Sequence, residues 1–242
     1  MPDTLLTVDR ISKSFGGVQA LRDISFTVTE GSVFGIMGAN GAGKTTLFAT
    51  IAGNQSPTSG EVRLCDRRLT GLPPHRVAKA GVARTFQIVR PFRGLTVREN
   101  VRTGFRFGAI GRDRATDIGE ADLLRLTGID AIADRLAGDL TLSQQKRLEI
   151  ARALATRPQL LLLDEVMAGL TATEVRDMIG MVRRIRSDLG VTVMIIEHVM
   201  GALMDLSDHV VVLDHGELIA QGTPAEIAAD PAVQSAYLGH GQ

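Results

Sequence analysis

An octapeptide, GANGAGKT at residues 38–45, allows only a narrow range of backbone conformations. It fits the pattern G-x-x-x-x-G-K-[ST]; an apolar segment that ends at Met37 precedes it, and a helical pattern follows it. Glycines let the backbone curl so that successive N–H groups point inward, and the N-terminus of the next helix adds a partial positive charge. The sequence therefore predicts a strand–loop–helix unit whose loop binds phosphate groups, rather than a glycine turn that merely reverses the chain.

Two side chains at the end of this loop have the chemistry needed to bind a nucleoside triphosphate and its metal ion. Lys44 is predicted to reach the β- and γ-phosphates, and Thr45 is predicted to ligate Mg²⁺. The expected cofactors are ATP and Mg²⁺. The predicted nucleotide-binding residues of this segment are Gly38, Asn40, Gly41, Ala42, Gly43, Lys44, Thr45 and Thr46.

A second segment, LLLLDE at residues 160–165, brings Asp164 and Glu165 to the end of a buried strand. On its own it is equally compatible with an ordinary strand end. Two adjacent carboxylates there would repel each other and resist ionisation unless a cation were bound. We therefore predict that Asp164 holds Mg²⁺ and that Glu165 polarises the attacking water. We also predict that the strands ending at Met37 and Asp164 lie side by side, with the triphosphate between their tips.

The composition narrows the class of protein. The 242 residues include 27 basic and 27 acidic side chains, so a net charge of zero argues against nucleic acid as a partner. The single cysteine, Cys65, cannot form an intrachain disulfide, which fits a reducing compartment. No apolar run approaches the ~18 residues of a membrane-spanning helix, and the N-terminus lacks a signal-peptide pattern. We expect a cytoplasmic chain, with attachment to a membrane partner left open.

The distribution of apolar residues predicts an α/β fold. Residues 5–36 alternate apolar and polar positions, typical of antiparallel strands, whereas residues 97–155 are mostly helical. Beyond them, short buried-strand runs alternate with helices, as a parallel sheet requires. We predict a P-loop NTPase core with a mixed or parallel sheet from residues 1–94 and 156–242, an antiparallel β part at its N-terminal end, and a helical insert at residues 95–155. Thr223 and Glu226 predict a capping box at the last helix.

With both nucleotide segments placed, the chain resembles an ATP-binding cassette (ABC) transporter ATPase over nearly its whole length. The resemblance implies that Phe15, in SKSFGG, stacks on adenine, although an aromatic residue there also suits a strand core. It implies that Gln87, in ARTFQ, senses Mg²⁺ and the γ-phosphate. It further implies that His198, which follows VTVMIIE, contacts the γ-phosphate and helps to organise the attacking water.

The family signature, ordinarily L-S-G-G-Q, binds the γ-phosphate of ATP held by a partner subunit. Alignment on RLEIARAL puts Leu140 to Gln144 at those positions, so Thr141 replaces the serine and both glycines are missing. Thr141 and Gln144 form a predicted capping box, which still presents N–H groups to an anion. We expect Thr141, Ser143 and Gln144 to bind there, with contact weakened by the Leu142 side chain or shifted towards the Ser143 hydroxyl.

Two further departures from the family pattern lie nearby. Thr171 stands where the family usually places Asp or Asn in the loop that crosses to the partner, and Val166 stands where proline commonly follows the glutamate. The hypothesis that follows is a weakened signature site, tolerable if the partner is a different ATPase chain. Both possibilities stay open: the partner is a second copy of this chain or a different ATPase chain.

Within the family, the tracts ARTFQIVRPFRGLTVRENV and IIEHVMGALMDLSDHVVVLDHGELIAQGTPAEI and the ending AVQSAYLG are similar to branched-chain amino acid importer ATPases. Alternatives are ATPases for urea or amide uptake or for lipopolysaccharide export, then soluble ABC proteins of translation or DNA repair, then a P-loop small-molecule kinase. The resemblance implies integral-membrane permease subunits as partners, an indirect link to a solute-binding protein, and a peripheral location on the inner face of the cell membrane.

Arginine is concentrated between residues 84 and 114, with eight arginines against two acidic residues. Arg98, Arg102 and Arg106 recur every four residues, so they share one face of the predicted helix. That face is either simply solvated or a surface for the permease or for anionic lipid headgroups.

Overall fold

The computed structural model describes residues 3–87, 89–107 and 118–238. Its strands, in chain order, are β1 (Thr4–Phe15), β2 (Val18–Thr29), β3 (Val33–Gly38), β4 (Ser59–Leu64), β5 (Arg67–Arg68), β6 (Val82–Arg84), β7 (Leu160–Asp164), β8 (Thr192–Ile196), β9 (His209–Asp214) and β10 (Glu217–Gly222). Its α-helices are α1 (Lys44–Ile51), α2 (Pro74–Ala80), α3 (Val97–Phe107), α4 (Glu120–Thr127), α5 (Leu142–Ala155), α6 (Ala172–Leu189), α7 (Met200–Leu206), α8 (Pro224–Ala229) and α9 (Pro231–Leu238).

The strands of the described residues form two sheets. The larger has the order β10-β9-β3-β8-β7-β6, in which β10 alone runs antiparallel to its neighbour. Every residue of β3, β7 and β8 is buried, as in a parallel sheet with both faces covered. The smaller sheet, β2-β1-β4-β5, is antiparallel. The predicted α/β class is thereby confirmed.

Helix α1 fills the space between the two sheets. Leu47 and Phe48 of α1 are fully buried and belong to one apolar cluster with Ile11 of β1, Phe34 of β3 and Leu162 of β7. Because α1 begins at Lys44, this packing fixes the position of the glycine-rich loop relative to the ends of the central strands.

Helices α3, α4 and α5 lie between β6 and β7 in the chain and pack mainly on one another. Helices α3 and α5 approach closely at Gly104, where an added Cβ would lie 2.6 Å from the Arg152 carbonyl oxygen. Helix α5 begins at Leu142, directly after Thr141, which caps it together with the Gln144 side chain. The division into core and helical subdomain stays a prediction.

The prediction that the strands ending near Met37 and at Asp164 lie side by side is wrong. Strand β8 lies between β3 and β7, with Ile196 paired to Ile36 on one side and to Asp164 on the other. A crossover helix can place the next parallel strand on either side of the previous one, and the sequence does not specify which side. The segment after β8, which contains His198, therefore follows the central strand between the phosphate loop and Glu165.

The predicted capping box of Thr223 and Glu226 is confirmed at α8, but α9 follows, so the prediction that it opens the last helix is wrong. Within residues 3–87, 89–107 and 118–238, no helix combines the length and the apolar character needed to cross a membrane.

Candidate nucleotide site

The glycine-rich loop joins β3 to α1 in a conformation that only glycine adopts readily. Gly41 and Gly43 have φ angles of 83° and 102°, in the region disfavoured for other residues. A Cβ at Gly43 would lie 2.6 Å from the Ala20 carbonyl oxygen, whereas a Cβ at Gly41 would meet nothing within 4 Å. The loop is therefore packed tightly on its inner side and open at Gly41, where a phosphate group has room to approach the backbone.

Lys44 lies folded back on this loop. Its buried Nζ donates to the carbonyl oxygens of Gly38 and Ala39 at 2.7 and 2.9 Å. Burial lowers the pKa of Lys44, while the nearby charges of Glu165 and Asp164 raise it. The ammonium group thus contacts the loop and feels the charges of Asp164, which ends β7, and of Glu165, which follows it. Of the other loop residues, Asn40 and Thr45 are exposed and Thr46 is half-buried.

Asp164 is held by a residue that sequence reasoning did not assign. Arg84 Nη2 lies 2.7 Å from Asp164 Oδ2, with 9% and 1% of the two side chains exposed. The Asp164 backbone N–H donates to the Thr85 hydroxyl at 3.1 Å. The second carboxylate oxygen, Oδ1, is buried and has no hydrogen-bond partner among the described residues. An acceptor left free beside a cavity suits a cation or its bound water.

One cavity of about 750 Å³ connects the predicted metal-binding residues. Thr45, Gln87 and Asp164 all line it. A hydroxyl, an amide oxygen and a carboxylate are oxygen ligands of the kind that Mg²⁺ prefers, and Mg²⁺ is usually held by few protein groups plus substrate phosphates. The residues present therefore fit Mg²⁺.

Glu165 accepts hydrogen bonds from two other predicted site residues. Gln87 Nε2 donates to Glu165 Oε2 at 2.7 Å, and His198 Nε2 lies 2.8 Å from Glu165 Oε1. Glu165 is buried, whereas 43% of the His198 side chain is exposed. Two segments that lie far from Glu165 in the chain thus bring polar groups to its carboxylate.

Phe15 ends β1 and is 44% exposed, so it is not a core residue. Lys13 Nζ lies 4.8 Å from the centre of its ring. An exposed aromatic face of this kind is available for stacking.

The signature region differs from expectation at Ser143. Thr141 and Gln144 form the predicted capping box. Ser143, however, is buried. Its side chain hydrogen-bonds to Glu174, and the pKa of Glu174 is lowered mainly by hydrogen bonds from Thr171 and also by this one. The Ser143 hydroxyl is thus engaged by its own chain, because α6 packs beside the start of α5. Leu142 is 47% exposed instead.

The basic stretch is partly neutralised. Arg98 pairs with Glu120 at 2.8 Å and with Asp134 at 3.0 Å, and Arg102 also pairs with Glu120. Arg112 and Arg114 lie outside the described residues. These ion pairs favour the interpretation of a solvated helix face.

Sequence reasoning also missed three charged side chains on the inner side of α5, at residues 146, 149 and 152. Lys146 is buried, and Phe86 N–H donates to Glu149 Oε1 at 3.0 Å. Arg152 Nη1 donates to the Arg90 carbonyl oxygen at 3.1 Å, so Glu149 and Arg152 hold the backbone on both sides of Gln87. A spacing of three residues on one face of a helix was the available signal.

The comparisons with known proteins agree with this geometry. Residues 21–168, more than half of the chain, match the sequence profile of the ABC transporter family. The chain belongs to the ABC transporter family. A second profile, described as branched-chain amino acid ATP-binding cassette transporter, matches residues 217–242 of this ABC protein.

Relatives that match over nearly their whole length support the assignment. The ABC protein is 40% identical to the high-affinity branched-chain amino acid transport ATP-binding protein BraF of Pseudomonas aeruginosa, with 99% of both chains covered. It is 37% identical to the corresponding protein LivG of Escherichia coli, again with 99% of both chains covered.

Solved structures resemble it over nearly the whole chain. One is the ADP conformation of an ATP-binding cassette of an ABC transporter, with 30% identity and a TM-score of 0.86 over 98% of this chain and all of that one. Another is a nucleotide-free ABC transporter cassette, with 29% identity and a TM-score of 0.85 over 97% and 99% of the two chains. The chain is an ABC ATPase with a cassette fold.

Proposed function

We propose that this ABC ATPase is the motor subunit of an importer for branched-chain or chemically related amino acids. The choice of branched-chain amino acids as solutes is supported by the near-full-length similarity to BraF and LivG and by the C-terminal profile. The observation that supports hydrolysis is the convergence of Gln87 and His198 on the Glu165 carboxylate.

The phosphate loop and Lys44 bind the nucleotide in this proposal. The loop N–H groups and the N-terminus of α1 face the phosphates, and Lys44 exchanges its carbonyl partners for phosphate oxygens. Thr45, Gln87 and Asp164 hold Mg²⁺, and Phe15 stacks on adenine. Bound Mg²⁺ supplies neutralisation of phosphate charge.

Glu165 accepts the proton of the attacking water. Both of its carboxylate oxygens already accept one hydrogen bond, and each keeps further acceptor capacity for a water molecule. Gln87 and His198 hold the carboxylate in one orientation, so its lone pairs point to a defined place. Placing the proton acceptor before the substrate arrives lowers the barrier to hydrolysis.

A second ATPase chain completes each site. Thr141, Gln144 and the start of α5 offer N–H and hydroxyl groups to the γ-phosphate of the partner's nucleotide. Leu142 occupies the surface where the family pattern has glycine, which supports a weakened contact on this side. The proposal therefore includes either an identical or a different partner chain.

The permease binds beside Gln87 on the inner face of the membrane. The cavity near Asp164 extends past three exposed aromatic rings, Phe86, Phe92 and Phe107, towards Arg90. Apolar rings beside a basic side chain suit a cytoplasmic loop of an integral-membrane partner. The solute-binding protein acts on the far side of that permease and does not contact this chain.

Replacement of Glu165 tests the proposal. In complexes purified from membranes, Glu165→Gln is expected to lower ATP turnover at least a hundredfold, because the amide cannot accept the proton. ATP binding is retained, so an ATP-bound dimer accumulates, and uptake of a branched-chain amino acid is lost in cells that carry only this variant. Chains that remain monomeric at saturating ATP, or uptake at the wild-type rate, would contradict the proposal.

A further inference from the structure

Lys146 lies in the interior beside the proposed catalytic carboxylate, yet it has no place in the proposed mechanism. It is on α5, one and a half turns after the Thr141 cap, and only 5% of it is exposed. Its Nζ donates to the carbonyl oxygens of Glu165, at 3.1 Å, and Ala168, at 2.5 Å. A buried ammonium group that contacts the backbone of the catalytic segment suggests a role in placing that segment.

The backbone of Glu165 needs such support. Its φ angle is 51°, in the left-handed region that a residue with a side chain adopts only at an energetic cost. On one side, the Glu165 N–H donates to the Ile196 carbonyl oxygen at 2.9 Å. On the other, Lys146 holds the carbonyl groups at both ends of the turn of residues 165–168.

Glu197 holds the same turn from the opposite direction. Its Oε1 accepts from the Met167 N–H at 2.8 Å, and it is buried directly before His198. Lys146 and Glu197 therefore bind complementary groups of one turn, a cation on two carbonyl oxygens and a carboxyl group on an N–H. The turn is fixed at three backbone positions.

A buried lysine is a costly way to stabilise a fold. Removing an ammonium group from water is unfavourable, and an apolar side chain of similar volume often gives equal or greater stability. The burial of Lys146 lowers its pKa, while Glu197, Glu165 and Glu149 raise it. The residue is thus better explained by the geometry that it imposes than by a contribution to stability.

We propose that Lys146, with Glu197 as its counterpart, is a positioning residue that aims the Glu165 carboxylate by fixing the turn of residues 165–168. This inference rests on the proposed role of Glu165 in hydrolysis.

Lys146→Met tests it, because methionine keeps the apolar stem and removes the ammonium group. In the purified full-length complex, kcat is expected to fall about ten- to a hundredfold, with KM and the Kd for ATP changed less than about threefold. Lys146→Arg, which can still donate to two carbonyl groups, restores at least part of kcat. Lys79→Met, an exposed lysine on α2, is the matched control and leaves all three constants unchanged.

A double variant shows whether Lys146 acts through Glu165. In the Glu165→Gln background, Lys146→Met is expected to lower the residual turnover less than about twofold, because residues that act as a unit are not additive. An equal fold-loss in both backgrounds, or wild-type kcat in folded Lys146→Met, overturns the inference. If Glu165→Gln alone leaves turnover intact, the proposed function fails instead.

Lys146→Gln covers the case in which the methionine variant does not fold. Its amide carries no charge and its side chain is shorter than that of lysine, so a reduced kcat at unchanged Kd is again expected. Folded Lys146→Gln with wild-type kcat would overturn the inference, and thermal unfolding of each variant verifies that the comparison concerns folded protein.

Discussion

At the scale of single residues, the site is built from charged groups that have been removed from water. Arg84 and Asp164 neutralise each other beside β7, and Lys146 is compensated by carbonyl groups. Glu149 and Glu197 each accept a backbone N–H. Apart from the Arg84–Asp164 pair, these buried charged groups contact main-chain atoms of the proposed catalytic segments. They therefore hold the backbone of those segments in place.

The Arg84–Asp164 pair leads to a prediction about stability. Arg84→Met removes one partner and leaves a buried carboxylate unpaired, so the free energy of unfolding is expected to fall by about 3–5 kcal/mol without nucleotide. Denaturant titration measures it. Arg183→Met is the control, because the Arg183–Asp205 pair is more than half exposed and its loss should be small. Equal effects of the two substitutions would exclude a special role for the buried pair.

Residues of the site could be predicted from the sequence where a motif names them. Lys44, Thr45, Asp164 and Glu165 follow from two segments whose chemistry is local. Partners such as Arg84 could not be found in this way, because a buried ion pair depends on which strands become neighbours. The same limit applies to the Ser143 hydroxyl, whose engagement by α6 involves residues that lie far along the chain.

At the scale of elements, the glycine-rich loop depends on the surface beneath it. Gly43→Ala would place a methyl group 2.6 Å from the Ala20 carbonyl oxygen at a φ angle of 102°. Either the loop or β2 must move, so the affinity for ATP is expected to fall at least about tenfold, a change of about 1.4 kcal/mol. Equilibrium binding of a fluorescent ATP analogue measures the change.

Gly180→Ala provides the comparison for that experiment. Gly180 lies in α6 with open space around its Cβ position, so alanine there should stabilise the protein by about 0.5–1 kcal/mol and leave ATP affinity unchanged. Wild-type affinity of Gly43→Ala would show that the loop tolerates displacement.

The predicted elements agree with the structure better than their arrangement does. The capping boxes at the starts of α5 and α8 were predicted at the correct residues, because capping is a local interaction. The order of parallel strands was not predicted correctly, since β3 and β7 are separated by β8. Crossover connections are long and buried strands are similar in composition, so the hydrophobic pattern alone does not distinguish the orders.

At the scale of the whole molecule, two buried acids make the stability depend on pH. Burial raises the pKa of Glu149 and of Glu197 to about 7, from 4.5 in the unfolded chain. Between these values the folded state binds more protons than the unfolded state. The contribution of these two acids to stability is therefore fully present below about pH 4.5, is lost as the pH rises to about 7, and then levels off.

The unfolding free energy should fall by at most about 1.4 kcal/mol per pH unit for each of the two acids. Denaturant titrations between pH 5 and 8, without nucleotide or metal, measure the slope. Glu149→Gln and Glu197→Gln should each flatten it, because an amide does not titrate. A stability that rises between pH 5 and 7 in the wild-type chain would contradict the expectation.

The central place of β8 also bears on how the protein is made. Strands in a sheet are about 4.8 Å apart, so β3 and β7 are separated by roughly 10 Å that only β8 can fill. A nascent chain that has left the ribosome up to Asp164 contains both nucleotide segments but leaves a gap between them. During synthesis, the ATP site can therefore close only after residues 192–196 have emerged, when at least about four fifths of the chain has been translated.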